Sequence, residues 1–205
     1  MGEEDEMSKR PTYPYITHHG RVIVETLMGG RGPIRDLYLD RPLVGVEVGS
    51  WRGKNAATLL ARMPRLKLYM VDLWGTAPEV ADDYTRQGEE QMAEALEETA
   101  FADRRRVVVR CASPAAAKQV TEPLDFVFVD GDHRYESCLA DLRAWWPLVK
   151  PGGWMMGHDI DHTGEIATGW GVRQAVEQFC EEVGGLRFDV WPWPAMVFAI
   201  RKGAA

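Results

Sequence analysis

Two short segments of the chain concentrate acids and imidazoles. Asp130-Gly131-Asp132-His133 follows an apolar run over 124–130, and His158-Asp159 follows Trp154-Met155-Met156. If those runs are neighbouring parallel strands, their carboxyl ends border one crevice. Three carboxylates and two imidazoles then face a common space. Hard oxygen ligands of this kind suit Mg²⁺ or Mn²⁺, with water filling the remaining positions. An imidazole titrates near neutral pH, so His133 is the first candidate for the base of a proton-removing reaction. Taken singly, each residue also reads as a loop-forming or loop-bonded side chain. Their convergence on one face is what favours chemistry.

A second constellation lies earlier. A β-rich run over 43–48 leads into Glu47-Val48-Gly49-Ser50-Trp51-Arg52-Gly53 and then a helix. Glycines at such a turn let the backbone approach a ligand and expose amide hydrogens at the helix start. The next strand ends at Asp72, 19 residues after Gly53, where a carboxylate accepts both hydroxyls of a ribose. The spacing Gly49-xxx-Gly53 is not G-x-G-x-x-G, so a pyrophosphate fits less well. Glu47 would repel phosphate and suit a cationic ligand. S-adenosylmethionine carries an ammonium and a sulfonium and no phosphate.

The elements that must position these residues follow from periodicity and breakers. Strands are expected over 43–48, 67–73, 106–111, 124–130 and 154–156, and helices over 54–63, 82–99, 135–149 and 172–183. Ser113 is expected to cap a short helix with Pro114 in its first turn. Lys150-Pro151-Gly152-Gly153 reads as a turn. Runs over 186–191 and 195–201, split by Pro192-Trp193-Pro194, read as a terminal hairpin. Alternating βα units closed by a hairpin imply an α/β sandwich with a mostly parallel sheet. Residues 1–42 read as an N-terminal arm with one short helix around 20–28 and a disordered acidic tip, and 43–205 as the domain.

The chain has 205 residues and a net charge of −7. That charge weighs against nucleic acid as the main partner, because phosphate neutralisation needs a basic face. No run of 18 apolar residues is present, so no membrane span is expected, and the acidic start does not read as a secretory signal. Cys111, Cys138 and Cys180 are widely spaced; the expectation is three reduced thiols in a cytoplasmic protein.

Val44-Gly-Val-Glu-Val-Gly-Ser-Trp-Arg-Gly53 resembles the first motif of class I S-adenosylmethionine-dependent methyltransferases. The segments 124–136 and 148–159 resemble a small bacterial subgroup of that family. It is related to metal-dependent sugar and macrolide O-methyltransferases and to cephalosporin-hydroxylase-like proteins. The resemblance covers about 43–202. It implies a Rossmann-like three-layer sandwich with a seven-stranded sheet. It also implies that Glu47, Gly49, Ser50, Gly53 and Asn55 line the methionine moiety, and that Asp72 holds the ribose. Leu73 and Trp74 would flank the adenine, Ala112 and Ser113 its edge, and Asp130 would sit near the methyl. A divalent ion would be held by Asp130, His158 and Asp159. His158 departs from the carboxylate usual there, which leaves open a softer metal, a weakly bound one, or none. Related enzymes use either a histidine or an aspartate in the 130–133 loop, so Asp132 is the second candidate base.

The expected activity is methyl transfer to a hydroxyl oxygen of a small molecule, such as a sugar or a glycosylated natural product. An N-methyltransferase without metal and a non-catalytic S-adenosylmethionine-binding module are the rival readings. Trp51, Trp74, Trp170 and Trp193 are candidates for stacking on a ligand, and the loop 161–170 for a substrate lid. His18 and His19 precede the short helix; a solvated or capping role is preferred, and reach to the site is the alternative. The N-terminal arm or Pro192-Trp193-Pro194 could support a homodimer.

Overall fold

The computed structural model describes residues 16–29, 39–76, 82–162 and 169–203, without the side chains of 82–86. The acidic tip, Pro11 and Pro14, Gly30 and Gly32, and most of the 161–170 loop lie outside the described residues. In chain order the main elements are α1 (His18–Met28), β1 (Leu43–Val48), α2 (Lys54–Arg62), β2 (Leu66–Asp72), α3 (Asp82–Glu98) and β3 (Arg106–Arg110). Then come α4 (Ser113–Ala116), β4 (Leu124–Val129), α5 (Tyr135–Trp145), β5 (Val149–Gly157), α6 (Val172–Glu182), β6 (Phe188–Trp191) and β7 (Val197–Arg201).

The seven strands form one sheet in the order β3-β2-β1-β4-β5-β7-β6. The first five are parallel, and β7 pairs antiparallel with both β5 and β6. This is the expected Rossmann-like sandwich. Side chains alternate along a strand, so each strand feeds two cores. Val46, Val48, Val71, Val127 and Val129 pack with α4, α5 and α6 on one face. Leu43, Leu68, Met70, Phe126 and Phe128 pack with α1, α2 and α3 on the other. Glu47 shares the second parity, so its side chain is directed toward α1 and α2.

Three local expectations differ from the structure. The helix from Tyr135 stops at Trp145, and a tight turn over Trp146–Leu148 follows. Pro147 sets that turn, because it has no N–H to continue the ladder, and Val149 opens β5 instead. Lys150-Pro151-Gly152-Gly153 lies within β5 and produces a register shift against β4 between Leu124 and Phe126. Ser113 is not the cap of α4: Ala112 holds that position, and the Ser113 hydroxyl accepts a hydrogen bond from Trp145 Nε1 at 2.8 Å. No helix among the described residues is long and apolar enough to cross a membrane.

Candidate active site

The sheet reverses direction of winding between β1 and β4, and ligands of such sheets bind outside the strand ends at that point. Gly49 makes the two ends meet. Its φ is +84°, and a Cβ there would lie 2.1 Å from the Asp130 carbonyl oxygen. Only glycine allows this contact. A cleft of about 1040 Å³ opens above it. Ligand clefts run to roughly 1,000 Å³, so there is room for a donor and an acceptor together.

Gly49, Ser50, Asn55, Asp72, Leu73, Ala112, Ser113, Asp130, Asp132, His133 and His158 all line this cleft. Glu47 and Asp159 are not among the lining residues, and two further expected contacts lie elsewhere. Gly53 faces α3: its φ is +76°, and a Cβ there would come within 2.7 Å of Ala95 Cα. It is a helix-packing glycine. Trp74 is buried in the core, where its indole N–H donates to the Trp51 carbonyl at 2.8 Å; its ring does not flank the cleft. Of the other candidate stacking tryptophans, Trp51 lines the cleft and Trp193 is 79% exposed away from it. Trp170 stacks on His133 with ring centroids 4.2 Å apart.

Glu47 sits one layer beneath the lining and is 2% exposed. One carboxylate oxygen accepts from Asn55 Nδ2 at 2.7 Å; the other, Oε2, is buried without a partner. Burial pushes this carboxyl up to about 8, against the smaller opposing pull of the Ser50 and Asn55 hydrogen bonds. Without a cation beside it this carboxyl favours the neutral acid, and a cation would ionise it. Asp72 accepts from the backbone N–H groups of Trp51 at 2.8 Å and Trp74 at 3.0 Å. Those bonds tie the turns after β1 and β2 together and leave further lone pairs for a ligand.

At the other end, Asp130, His133 and Asp159 each present a ligand atom, all within 4.8 Å of one another. His133 Nε2 lies 3.0 Å from Asp159 Oδ2 and 3.5 Å from Asp130 Oδ1, yet is buried without an aligned hydrogen bond. His158 Nδ1 stands 3.1 Å and 3.3 Å from the same two oxygens. The group thus differs from the expected Asp130, His158 and Asp159: His133, the expected base, takes the third ligand position, and His158 stands beside the two carboxylates. Asp159 adopts φ +57°, a left-handed conformation that Asp tolerates better than most residues. Burial alone would lower both imidazoles, but Asp130 and Asp159 outweigh it and hold both well above the ordinary value. Burial likewise acts to raise the two carboxyls, and the histidines hold them below the usual range.

Both candidate bases are therefore compromised in this arrangement. Asp130 and Asp159 favour the charged form of His133, which works against its taking a proton. Asp132 is held by the Arg134 guanidinium and the Ser137 hydroxyl, which keep it down at about 2. His19, expected mainly in a solvated or capping role with reach to the site as the alternative, stands at the site. It lines the cleft, stacks on Phe128 and meets His158 edge-on at 4.8 Å. Burial pushes it down to about 4, despite the facing carboxylates, so it is the neutral imidazole of the group. A signal for it existed: His19, Ile23 and Leu27 recur at i, i+4 and i+8, on the stripe that α1 buries.

Known proteins resemble this chain in sequence and in fold. A family model described as a methyltransferase domain matches residues 46–160. No curated protein sequence matches. Among solved structures, the chain is similar to precorrin-6y C5,15-methyltransferase from Geobacter metallireducens GS-15, with 16% identity over 90% of this chain and 87% of that one and a TM-score of 0.59. It is similar to an O-methyltransferase family protein from Burkholderia thailandensis, with 15% identity, 80% and 52% coverage and a TM-score of 0.58. An rRNA methylase from Streptococcus thermophilus gives 12% identity, 93% and 99% coverage and a TM-score of 0.57. These likenesses are of fold.

Proposed function

Because the chain belongs to the methyltransferase-domain family, with the fold of class I S-adenosylmethionine-dependent enzymes, we propose that it methylates a hydroxyl oxygen of a small molecule. The observation that carries this reading is the cluster of Asp130, His133 and Asp159 at one end of a cleft whose other end fits a cationic nucleoside. S-adenosylmethionine would supply a methyl group on a sulfonium. The residues present suit it: Glu47 Oε2 is a buried acceptor without a partner, placed for the ammonium, and Asp72 has lone pairs left for the ribose hydroxyls. The contacts assigned to Ser50, Asn55, Leu73, Ala112 and Ser113 remain part of the reading.

Two carboxylate oxygens and an imidazole nitrogen also suit a divalent ion. Asp130, His133 and Asp159, with His158 beside them, would hold it. Such an ion, when bound, would make a nearby hydroxyl more acidic, so that the proton released as the methyl group leaves the sulfonium would pass to solvent water at the mouth of the cleft. The chain's own residues orient the acceptor against the methyl group: Asp130 borders the reacting end, Trp170 fixes the His133 ring, and His19 walls the side. Proximity and alignment of this kind supply much of the rate of a displacement. The acceptor is read as a small molecule rather than RNA because the net charge is −7.

A second reading is favoured by one feature. Two imidazoliums facing two carboxylates form a charge-balanced group without any metal. In that case His133 fixes the carboxylates and cannot take a proton, and transfer to an amine or to an already acidic hydroxyl needs none. The test is methyl transfer from labelled S-adenosylmethionine to small hydroxylated and amino acceptors, with and without EDTA. Labelled ether products that vanish with EDTA and return with Mn²⁺ are expected. Labelled amines, or turnover indifferent to EDTA, would replace the first reading by the second. Calorimetry that finds no S-adenosylhomocysteine binding to folded protein would remove both.

A further inference from the structure

The residues matched to the methyltransferase domain begin at 46, yet α1 lies outside that span and reaches the cleft. We propose that Thr17, at the start of α1, is a positioning residue for the methyl donor: it fixes the Asn55 amide so that Glu47 keeps one oxygen free for the donor's ammonium. The inference rests on the donor reading above.

The polarity of the contacts carries the argument. Thr17 Oγ1 accepts the backbone N–H of Gly20 at 3.0 Å, which caps α1. The hydroxyl hydrogen is then directed to Asn55 Oδ1, 2.6 Å away. With its oxygen engaged, the amide must present Nδ2 to Glu47 Oε1, at 2.7 Å. An amide rotated by 180° would set its oxygen against the Glu47 carboxylate once that group ionises. Thr17 therefore sets the amide to donate to one carboxylate oxygen, Oε1, and the other, Oε2, is left without a partner. The Glu47 side chain cannot re-aim freely, because it is buried.

The same contacts bind α1 to α2. Thr17 N–H reaches Thr58 Oγ1 at 3.4 Å. A Cβ at Gly20 would lie 2.5 Å from Thr17 Oγ1, 2.6 Å from Asn55 Oδ1 and 2.8 Å from Thr58 Cγ2. The close approach of the two helices is thus built around the polar chain. Coupling of this kind is reciprocal: if docking of α1 tightens donor binding, donor binding tightens the docking of α1.

The experiment compares two probes by calorimetry: S-adenosylhomocysteine, and 5′-methylthioadenosine, the same nucleoside thioether without the amino-acid tail. Thr17→Val should weaken the first about tenfold, the scale of one hydrogen bond to a charged group, and leave the second unchanged. Thr17→Ser, which keeps the hydroxyl, should restore the first. Equal loss of both probes, or loss of neither, overturns the proposal and reduces Thr17 to a packing role. In the wild-type protein, where no variant's folding intervenes, S-adenosylhomocysteine should slow hydrogen exchange over 18–28 more than 5′-methylthioadenosine does; equal effects overturn it too. Wild-type protein that binds neither probe instead overturns the donor reading itself.

Discussion

Replacing Glu47 by Gln should make the empty protein more stable and the cofactor site worse. In the unfolded chain this carboxyl ionises at an ordinary 4.5, whereas in the folded, empty site burial holds it neutral up to about 8. Between those limits the folded state binds the extra proton. Wild-type stability therefore falls as pH rises from 4.5 to about 8, and an amide escapes that fall. At pH 7.5 the difference is about 2–4 kcal/mol in favour of Glu47→Gln, or roughly 5–10 °C in Tm for a chain of this size. At pH 4 it should vanish. His133 and His158, raised above 6.5, add a loss of stability at higher pH, but equally in both proteins. Binding should change in the opposite direction. A cation entering the site must ionise Glu47, so wild-type affinity for S-adenosylhomocysteine should rise roughly fifty-fold from pH 6 to pH 8. The ligand's own amine titrates alike in both proteins and cancels in the comparison. Glu47→Gln should lack that rise and bind about 10–100-fold more weakly at pH 8, the scale of a lost charge-assisted bond. Thermal unfolding across pH, with calorimetry in two buffers of different ionisation enthalpy, measures both halves. A Tm difference that is the same at pH 4 and 7.5, or matching affinity profiles, would refute the reasoning.

Further outcomes follow from the same geometry. Gly49→Ala should cost about 3 kcal/mol or more by chemical denaturation, since the added Cβ meets the Asp130 carbonyl and the backbone is left-handed; a loss under 1 kcal/mol would contradict the close crossing of β1 and β4. Asp159→Asn should weaken Mn²⁺ binding at least tenfold, and should destabilise the metal-free protein at pH 6 by about 3 kcal/mol, because two imidazoliums lose a shared partner. The stabilisation from Asp159 is present above its ordinary 3.8 and lost as pH falls through its lowered folded value, so the two proteins should converge in strong acid. Arg134→Ala should raise the Asp132 carboxyl from about 2 toward its ordinary 3.8, read by carbon NMR; no movement would mean that the ion pair is absent in solution. Cys138 and Cys180, pushed by burial to about 12 and about 11, should resist alkylation in the native protein at pH 8, when the same thiols react in denaturant.

The sheet was legible because its signals are local and repeated. Most strands alternate two apolar sets, and a breaker or glycine stands at most turns, so β1 to β7 could be placed within a residue or two, apart from the early start of β5. The cleft was legible for a related reason: a parallel strand brings its terminal residue to the ligand face, so Asp72, Asp130 and His158 could be assigned from position alone. What position alone did not show depends on local backbone and on side-chain partners, several of them far along the chain. Trp74 follows a cleft residue in sequence, but its left-handed backbone turns the ring into the core. Gly53 has the spacing of a ligand glycine and is used by α3. Asp132 has the chemistry of a base, and its neighbour Arg134 occupies it. Ser113 has the chemistry of a cap, and Trp145 occupies its hydroxyl.

His19 and Thr17 mark a different limit. The methyltransferase core brings Glu47, Asp72 and Asp130 to one crevice through sheet topology, which any sequence with these strands reproduces. It does not determine what stands against the α2 side of β1. Here that is α1, whose apolar stripe of Ile23 and Leu27 is buried and which therefore docks for hydrophobic reasons. Docking then brings two polar residues of its first turn to the site. One fixes the amide next to the buried acid, and the other places a neutral imidazole beside the charged His-Asp group. Apolar burial supplies the affinity of the helix for the sheet, and the polar residues at its start convert that docking into chemistry at both ends of the cleft. A helix that docked by the same stripe, with valine and leucine in place of Thr17 and His19, would preserve the fold and leave Glu47 unaligned and the acceptor end without its neutral ring.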